Sequence, residues 1–233
     1  MATIKVMSAG AVESILEVIG AEFERASGHR IDFVFNTAGG LRERFLSGDI
    51  PDLLVMPDAA IRAFEDEGQV KAGSSKPLAT AVSGVVVRAG APKPDISTVE
   101  AFKRALLDAK GVSYTDPKAG GSSGKVFAAH LERMGIADLV NAKAALGKRG
   151  YEVAQAVADG RAAIGTTFIS EMLTVPGLQV VGPLPGELRN VGTYTAGIPA
   201  RAASPELGQA FLKALTDPAT RARWQDAGLE PAF

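Results

Sequence analysis

The chain contains no cysteine, which excludes disulfides, thiolate metal centres and cysteine nucleophiles together. Histidine is nearly as scarce: there are two, His29 and His130. Neither has partners at a metal-ligand spacing, so no metal site and no cofactor is expected. His29 follows Ser27 and Gly28 and reads as part of an exposed turn. His130 shares a helical face with Phe127 and Leu131 and reads as packed. No window reaches the ~18 continuous apolar residues of a membrane span, so no membrane insertion is expected. An excess of one charge is missing as well, with 25 basic and 26 acidic residues giving a formal net charge of −1. So even a balance gives no whole-chain attraction to nucleic acid or anionic lipid, and any recognition of charge has to be local. There is no GxSxG nucleophile elbow, and no catalytic residue is nominated. The opening MATIKVMSAG lacks the basic, apolar and cleavage regions of a signal peptide. On this reading the protein is periplasmic if a signal peptide has been removed, and cytoplasmic if Met1 is the native start.

What is present is an ordinary globular composition, 46% apolar and 22% charged over 233 residues, enough for one large domain or two lobes. Strand-like and helix-like periods alternate along the chain, which predicts an α/β fold. A strand over 3–7 leads into a helix carrying Val12, Ile15, Leu16, Ile19 and Phe23, closed by Ser27 and Gly28. Further strands are predicted over 31–35 and 52–56, each followed by a short helix, ending near Gly48 and Gly68. The series restarts with a β-branched strand over 83–90. Next come a capping box of Ser97 with Glu100, a helix through Phe102 and Leu106, and a strand over 111–117. A helix bearing Phe127, Leu131 and Met134 follows, then a helix over 151–160 and strands over 162–167, 178–185 and 193–200. Ser204 and Pro205 open a return helix with Leu207, Phe211 and Leu215, and a last helix holds Trp224 and stops at Gly228. The restart after residue 82 and the final return point to two lobes.

Three strand-to-helix junctions are built from small residues: Ser8-Ala9-Gly10, Asn36-Thr37-Ala38-Gly39-Gly40, and Gly121-Ser122-Ser123. A helix N-terminus presents backbone N–H groups without internal partners and the positive end of the helix dipole. Small residues let ligand oxygens approach that backbone, and the hydroxyls of Ser8, Thr37, Ser122 and Ser123 add donors, a combination suited to an oxyanion or carboxylate. Each junction alone also reads as an ordinary cap or tight turn; their recurrence favours a shared anion site. The third nearly matches a phosphate-binding P-loop, but Val126 stands where that motif needs Ser or Thr after Lys125. Arg42 and Arg44 lie just beyond the second junction, where an arginine can reach a carboxylate or remain on the surface. Glu65, Asp66 and Glu67 read as a solvated face.

Over essentially its whole length the chain resembles the periplasmic molybdate-binding proteins and the wider type II solute-binding class. The resemblance rests on IKVMSAGAVESIL (4–16), FNTAGGLRERFLSGDIPDLL (35–54), SYTDPKAGG (113–121), AAIGTTFISE (162–171) and the tail YTAGIPARAASPELGQAFLKALTDPATRARWQDAGLEP (194–231). It implies a two-lobed, periplasmic-binding-protein-like α/β fold, with lobe one at 1–82 and 193–233, lobe two at 83–192, two crossover strands, and an anion in the cleft between them. It further implies closure around the ligand, a monomer, and an ABC transporter permease as partner. Molybdate binders carry a serine at what is here Ala11, serines among the positions of Ala38, Gly39 and Gly40, and a tyrosine at what is here Phe168. A buried dianion needs nearly all its oxygens satisfied, and loss of these donors enlarges the pocket. The expected ligand is therefore a small organic carboxylate, with a molybdate-type oxyanion as competitor. The donors expected to serve it are Asn36, Thr37, Ser122, Ser123, Thr166 and Thr167. Relatives of the molybdate binders include aconitate isomerases, so the alternative is an isomerase of a small unsaturated polycarboxylate. Proton transfer then requires a general base, and the sequence nominates none.

Overall fold

The computed structural model describes residues 1–233 and divides them into two compact units, Met1–Ala81 with Gly192–Phe233, and Val82–Val191. In the first unit β1 (Thr3–Ala9), α1 (Glu13–Ser27), β2 (Arg30–Asn36), α2 (Ala38–Leu46), β3 (Leu53–Pro57) and α3 (Asp58–Asp66) follow in turn. The chain leaves this unit along β4 (Lys76–Arg88). It then builds α4 (Val99–Asp108), β5 (Val112–Thr115), α5 (Ser122–Arg133), α6 (Ala137–Asn141), β6 (Ala144–Gly147), α7 (Gly150–Ala158), β7 (Ile164–Phe168), α8 (Ile169–Met172) and β8 (Leu178–Pro183). It returns along β9 (Val191–Gly197) and closes with α9 (Pro205–Leu215), α10 (Arg221–Asp226) and β10 (Leu229–Pro231). No helix is long and apolar enough to cross a membrane.

In the first unit β1 runs parallel to both β2 and β3, with Val6 level with Phe33 and Leu53, and β9 pairs antiparallel with β3. The apolar face of α1 buries Ile15, Leu16 and Ile19. Gly20 is needed on that helix because a Cβ there would lie 2.8 Å from the Phe33 ring. The return helix α9 brings Phe211 edge-on to Phe23, at 5.3 Å between centroids, and Trp224 is fully buried with its indole N–H donating to the Leu215 carbonyl. Each such buried side chain contributes about 1.5–3 kcal/mol over an exposed one. In the second unit β5 is parallel to β6 and β7, while β4 pairs antiparallel with β7 and β8. Phe102, Leu106, Tyr114, Phe127 and Leu131 form part of its core.

One local expectation is corrected, and three other positions have partners that spacing does not reveal. The cap of α4 is Thr98, whose hydroxyl accepts from the Ala101 N–H; Ser97 instead donates its N–H to Asp95. Ser204 occupies the N-cap position of α9, but its hydroxyl makes no cap bond, and its N–H donates to Asp52 at 2.7 Å. Ser27 and Gly28 form an exposed turn, and His29 at its end is half-buried and accepts from the Ala2 N–H. Glu65, in the last turn of α3, also accepts from the Ser75 hydroxyl and the Gly73 N–H, while Asp66 and Glu67 are exposed. His130 is buried, as its helical face requires.

Candidate functional site

The parallel register of the first unit sets Ala9 level with Asn36, so the first two small-residue junctions emerge side by side at the carboxyl edge of β1 and β2. Ligands of open α/β sheets bind at such edges. Ser8 is fully buried at the end of β1, and its hydroxyl donates to the Ala9 carbonyl at 3.2 Å. Ala9 and Gly10 open a short 3₁₀ turn with no side-chain cap, and Ala11 is buried within it.

At the second junction Thr37 caps α2, its oxygen accepting from the Gly40 N–H at 3.2 Å. The Asn36 carbonyl oxygen accepts from the Thr37 N–H at 2.8 Å. The Thr37 hydroxyl hydrogen and the Asn36 amide hydrogens have no acceptor within the chain, leaving two donors at the start of α2 beside Ala38 and Gly39. Gly40 has a packing role: a Cβ there would fall 2.7 Å from the Asn36 amide nitrogen. The space that the sequence assigns to a larger pocket is therefore, at this one position, filled by the Asn36 side chain. Arg42 lies over the Phe64 ring at 5.1 Å, and Arg44 pairs with Asp49. Both arginines already have partners within their own unit.

In the second unit the register sets Tyr114 level with Thr166 and Thr115 level with Gly147, gathering the ends of β5, β6 and β7. Gly121 is the N-cap of α5 and supplies no side-chain cap, so the helix opens on Ser122 with its first N–H groups uncapped. Ser123 is buried and shares a hydrogen bond of 3.3 Å with Thr115. Gly124 lets α5 press onto the end of β5, where a Cβ would meet the Thr115 carbonyl oxygen at 2.1 Å. Thr166, Thr167 and Phe168 are all buried. Thr167 donates its hydroxyl hydrogen to Glu171 at 2.6 Å, so with Ser123 it is a donor expected from the sequence that is already engaged within the chain. A cavity of about 590 Å³ elsewhere in this unit, lined by Val87, Arg104 and Ile164 among others, includes none of these residues.

Sequence reasoning missed Glu171, Arg149 and Gly150. Glu171 is the third residue of α8 and reaches back to the N–H of Phe168, the cap of that helix, as acidic residues at this position do. Its carboxylate also meets the Gly150 N–H at the start of α7, with Arg149 nearby. The residue keeps some surface, but its carboxyl end is enclosed. Burial pushes the Glu171 carboxyl up, against the Thr167 hydroxyl, the Phe168 N–H, Arg149 and the Gly150 N–H, which favour the charged form. A Cβ at position 150 would lie 1.8 Å from a Glu171 carboxylate oxygen, so only glycine allows this approach. Glycine at a predicted helix start was the one available signal, and it did not name its partner.

Two α/β units, joined by strands that cross out along β4 and back along β9, with small-residue junctions at their strand edges, define a solute-binding fold of the type II class. Residues 4–230 match the family described as bacterial extracellular solute-binding protein, and the chain belongs to that family. Among solved structures it is similar to the periplasmic molybdate-binding protein of Azotobacter vinelandii, with a TM-score of 0.78, 17% identity, and coverage of 97% of this chain and 98% of that one. It is also similar to L-phospholactate-bound PEB3 of Campylobacter jejuni, with a TM-score of 0.70, 14% identity, and coverage of 97% and 99%. A further relative, an aconitate isomerase from Pseudomonas sp, is 28% identical over 234 residues, covering 98% of this chain and 88% of that protein.

Proposed function

We propose that the protein captures a small organic carboxylate, outside the cytoplasm, and delivers it to an ABC-type permease. The observation that carries this reading is the pair of uncommitted donors at the start of α2, the Thr37 hydroxyl and the Asn36 amide, beside a helix N-terminus. Ser122 at the uncapped start of α5 supports it from the second unit. The ligand-binding set is Ser8, Ala9, Gly10, Asn36, Thr37, Ala38, Gly39, Gly121, Ser122, Ser123, Thr166 and Thr167. Hydroxyls are sparse in this set: Ser8 donates to backbone, Ser123 shares its hydrogen bond with Thr115, and Thr167 donates to Glu171. A tetrahedral dianion needs donors around every oxygen, because an unpaired buried charge is costly. Each carboxylate group has one charged face to satisfy, and the carbon frame between such groups tolerates Ala9, Ala11, Ala38 and Phe168, which favours an organic acid over a molybdate-type oxyanion.

A second reading is favoured by the full-length similarity to an aconitate isomerase: the same donors would hold an unsaturated polycarboxylate during a proton shift. It ranks second because that chemistry needs a base in contact with a substrate carbon, and the enclosed carboxylate of Glu171 is surrounded by donors of its own chain.

Thermal-shift screening against citrate, cis- and trans-aconitate, molybdate, tungstate, sulfate and phosphate tests the proposal, since a ligand bound only by the native state raises the melting temperature. Stabilisation by one or more carboxylates is the expected result, and a shift with molybdate or tungstate alone overturns it. Proton NMR of either aconitate isomer at high protein concentration decides the second reading: appearance of the other isomer establishes turnover and demotes the transport reading.

A further inference from the structure

Thr167 and Glu171 together constrain what a ligand can present to this part of the second unit. Four groups that favour its charged form surround the Glu171 carboxylate: the Thr167 hydroxyl, donating at 2.6 Å, the Phe168 and Gly150 N–H groups, and the positive charge of Arg149. A carboxylate so surrounded acts as acceptor, and the direction of the Thr167 bond is fixed by it. The threonine gives up its one hydrogen and keeps two lone pairs. The glycine at position 150, where any Cβ would collide with the carboxylate, holds the arrangement in place from the side of α7.

We propose that Glu171 is a specificity-determining residue acting through Thr167: it turns the Thr167 hydroxyl into an acceptor toward the ligand, so that the site selects a carboxylic acid carrying a hydroxyl over one lacking it. This rests on the reading that Thr167 belongs to the ligand site. A fully deprotonated oxyanion offers only lone pairs and meets repulsion at this oxygen. A hydroxy acid donates its hydroxyl hydrogen to Thr167. No bond is made or broken, and Glu171 touches no ligand atom. In Glu171→Gln the amide can donate to the Thr167 oxygen. The threonine hydrogen is thereby released, and the preference for a hydroxyl is lost. Thr167→Val removes the acceptor at nearly constant shape.

Isothermal titration calorimetry of the whole chain with two ligand pairs that differ by one hydroxyl, citrate with tricarballylate and malate with succinate, tests this directly. The wild type is expected to bind the hydroxylated member of at least one pair about tenfold more tightly, the scale of one buried hydrogen bond. Glu171→Gln and Thr167→Val are each expected to bring that ratio below about threefold. Should Glu171→Gln not fold by circular dichroism, Thr167→Val carries the test alone. Equal affinities within both pairs for the wild type, or a ratio unchanged in the folded variants, overturn the inference while leaving carboxylate binding intact. Binding of none of the four acids overturns the carboxylate reading and this inference with it.

Discussion

Gly40 and Gly150 are glycines for one physical reason: each lies against the polar end of a side chain, that of nearby Asn36 in the first case and of the sequence-remote Glu171 in the second. Chain pattern alone gives such positions a backbone role or an emptied pocket, and at these two it is the neighbour that sets the residue. Alanine at position 150 leaves the flexible Glu171 side chain free to swing aside, so the cost is the loss of its hydrogen bonds at the start of α7. Gly150→Ala is expected to lower stability in urea denaturation by about 1.5–3 kcal/mol, the range for hydrogen bonds to a charged group. In a Glu171→Ala background the clash is gone and alanine favours the helix over glycine by about 1 kcal/mol, so the same substitution becomes neutral or mildly stabilising. Equal effects in both backgrounds would contradict the packing account. At this scale the hydroxyl positions were legible, because helix starts after strands follow local rules. Glu171 was not legible, since its partners Gly150 and Arg149 are remote in sequence and only the pairing of β5 with β6 and β7 brings them near.

Strands and helices with a clear period, such as β1, α1, β3, α5 and α9, fall where apolar spacing places them. The elements that spacing missed share a cause. The strand β6 is four residues, AALG, with no alternation to read, and it exists because β5 supplies its hydrogen-bonding partner. The first part of β4 runs through Lys76, Pro77 and alanines, and β10 pairs with it from the far end of the chain. Short α6 and α8 likewise depend on what they pack against rather than on their own propensity. One long-range clip is decisive for the return of the chain: Asp52, 5% exposed, accepts from the Lys5 N–H at 2.9 Å and the Ser204 N–H at 2.7 Å. It thereby fixes the start of α9 against β1, and Gly208 keeps the helix close, since a Cβ there would lie 2.2 Å from the Asp52 carbonyl oxygen. Asp52→Ala strands two backbone donors and is expected to cost about 3 kcal/mol in denaturant unfolding. Amide exchange should rise at Lys5 and Ser204 first. A loss within error of zero would remove Asp52 from this role.

At the scale of the whole molecule, the two-unit architecture and membership of the extracellular solute-binding family follow from the order of strands and helices and from motifs spread over the full chain. Ligand identity is carried by far fewer atoms. In the first unit two donors, from Asn36 and Thr37, stand uncommitted at the edge of β1 and β2. In the second, Ser122 opens an uncapped helix and Thr167 is held as an acceptor by Glu171. The proposal of a carboxylate over a dianionic oxyanion rests on these few groups, and their hydrogen-bond directions were hidden from the sequence because direction depends on tertiary partners. The measurement that tests the central claim most directly is isothermal titration of citrate, trans-aconitate and molybdate into the wild type and into a variant carrying Thr37→Val and Ser122→Ala. Tight binding of a carboxylate by the wild type, with loss of about a hundredfold or more in the folded double variant, is the predicted result, two buried hydrogen bonds to a charged group being worth at least that. Carboxylate affinity unchanged in the double variant, or binding of molybdate alone by the wild type, would contradict it.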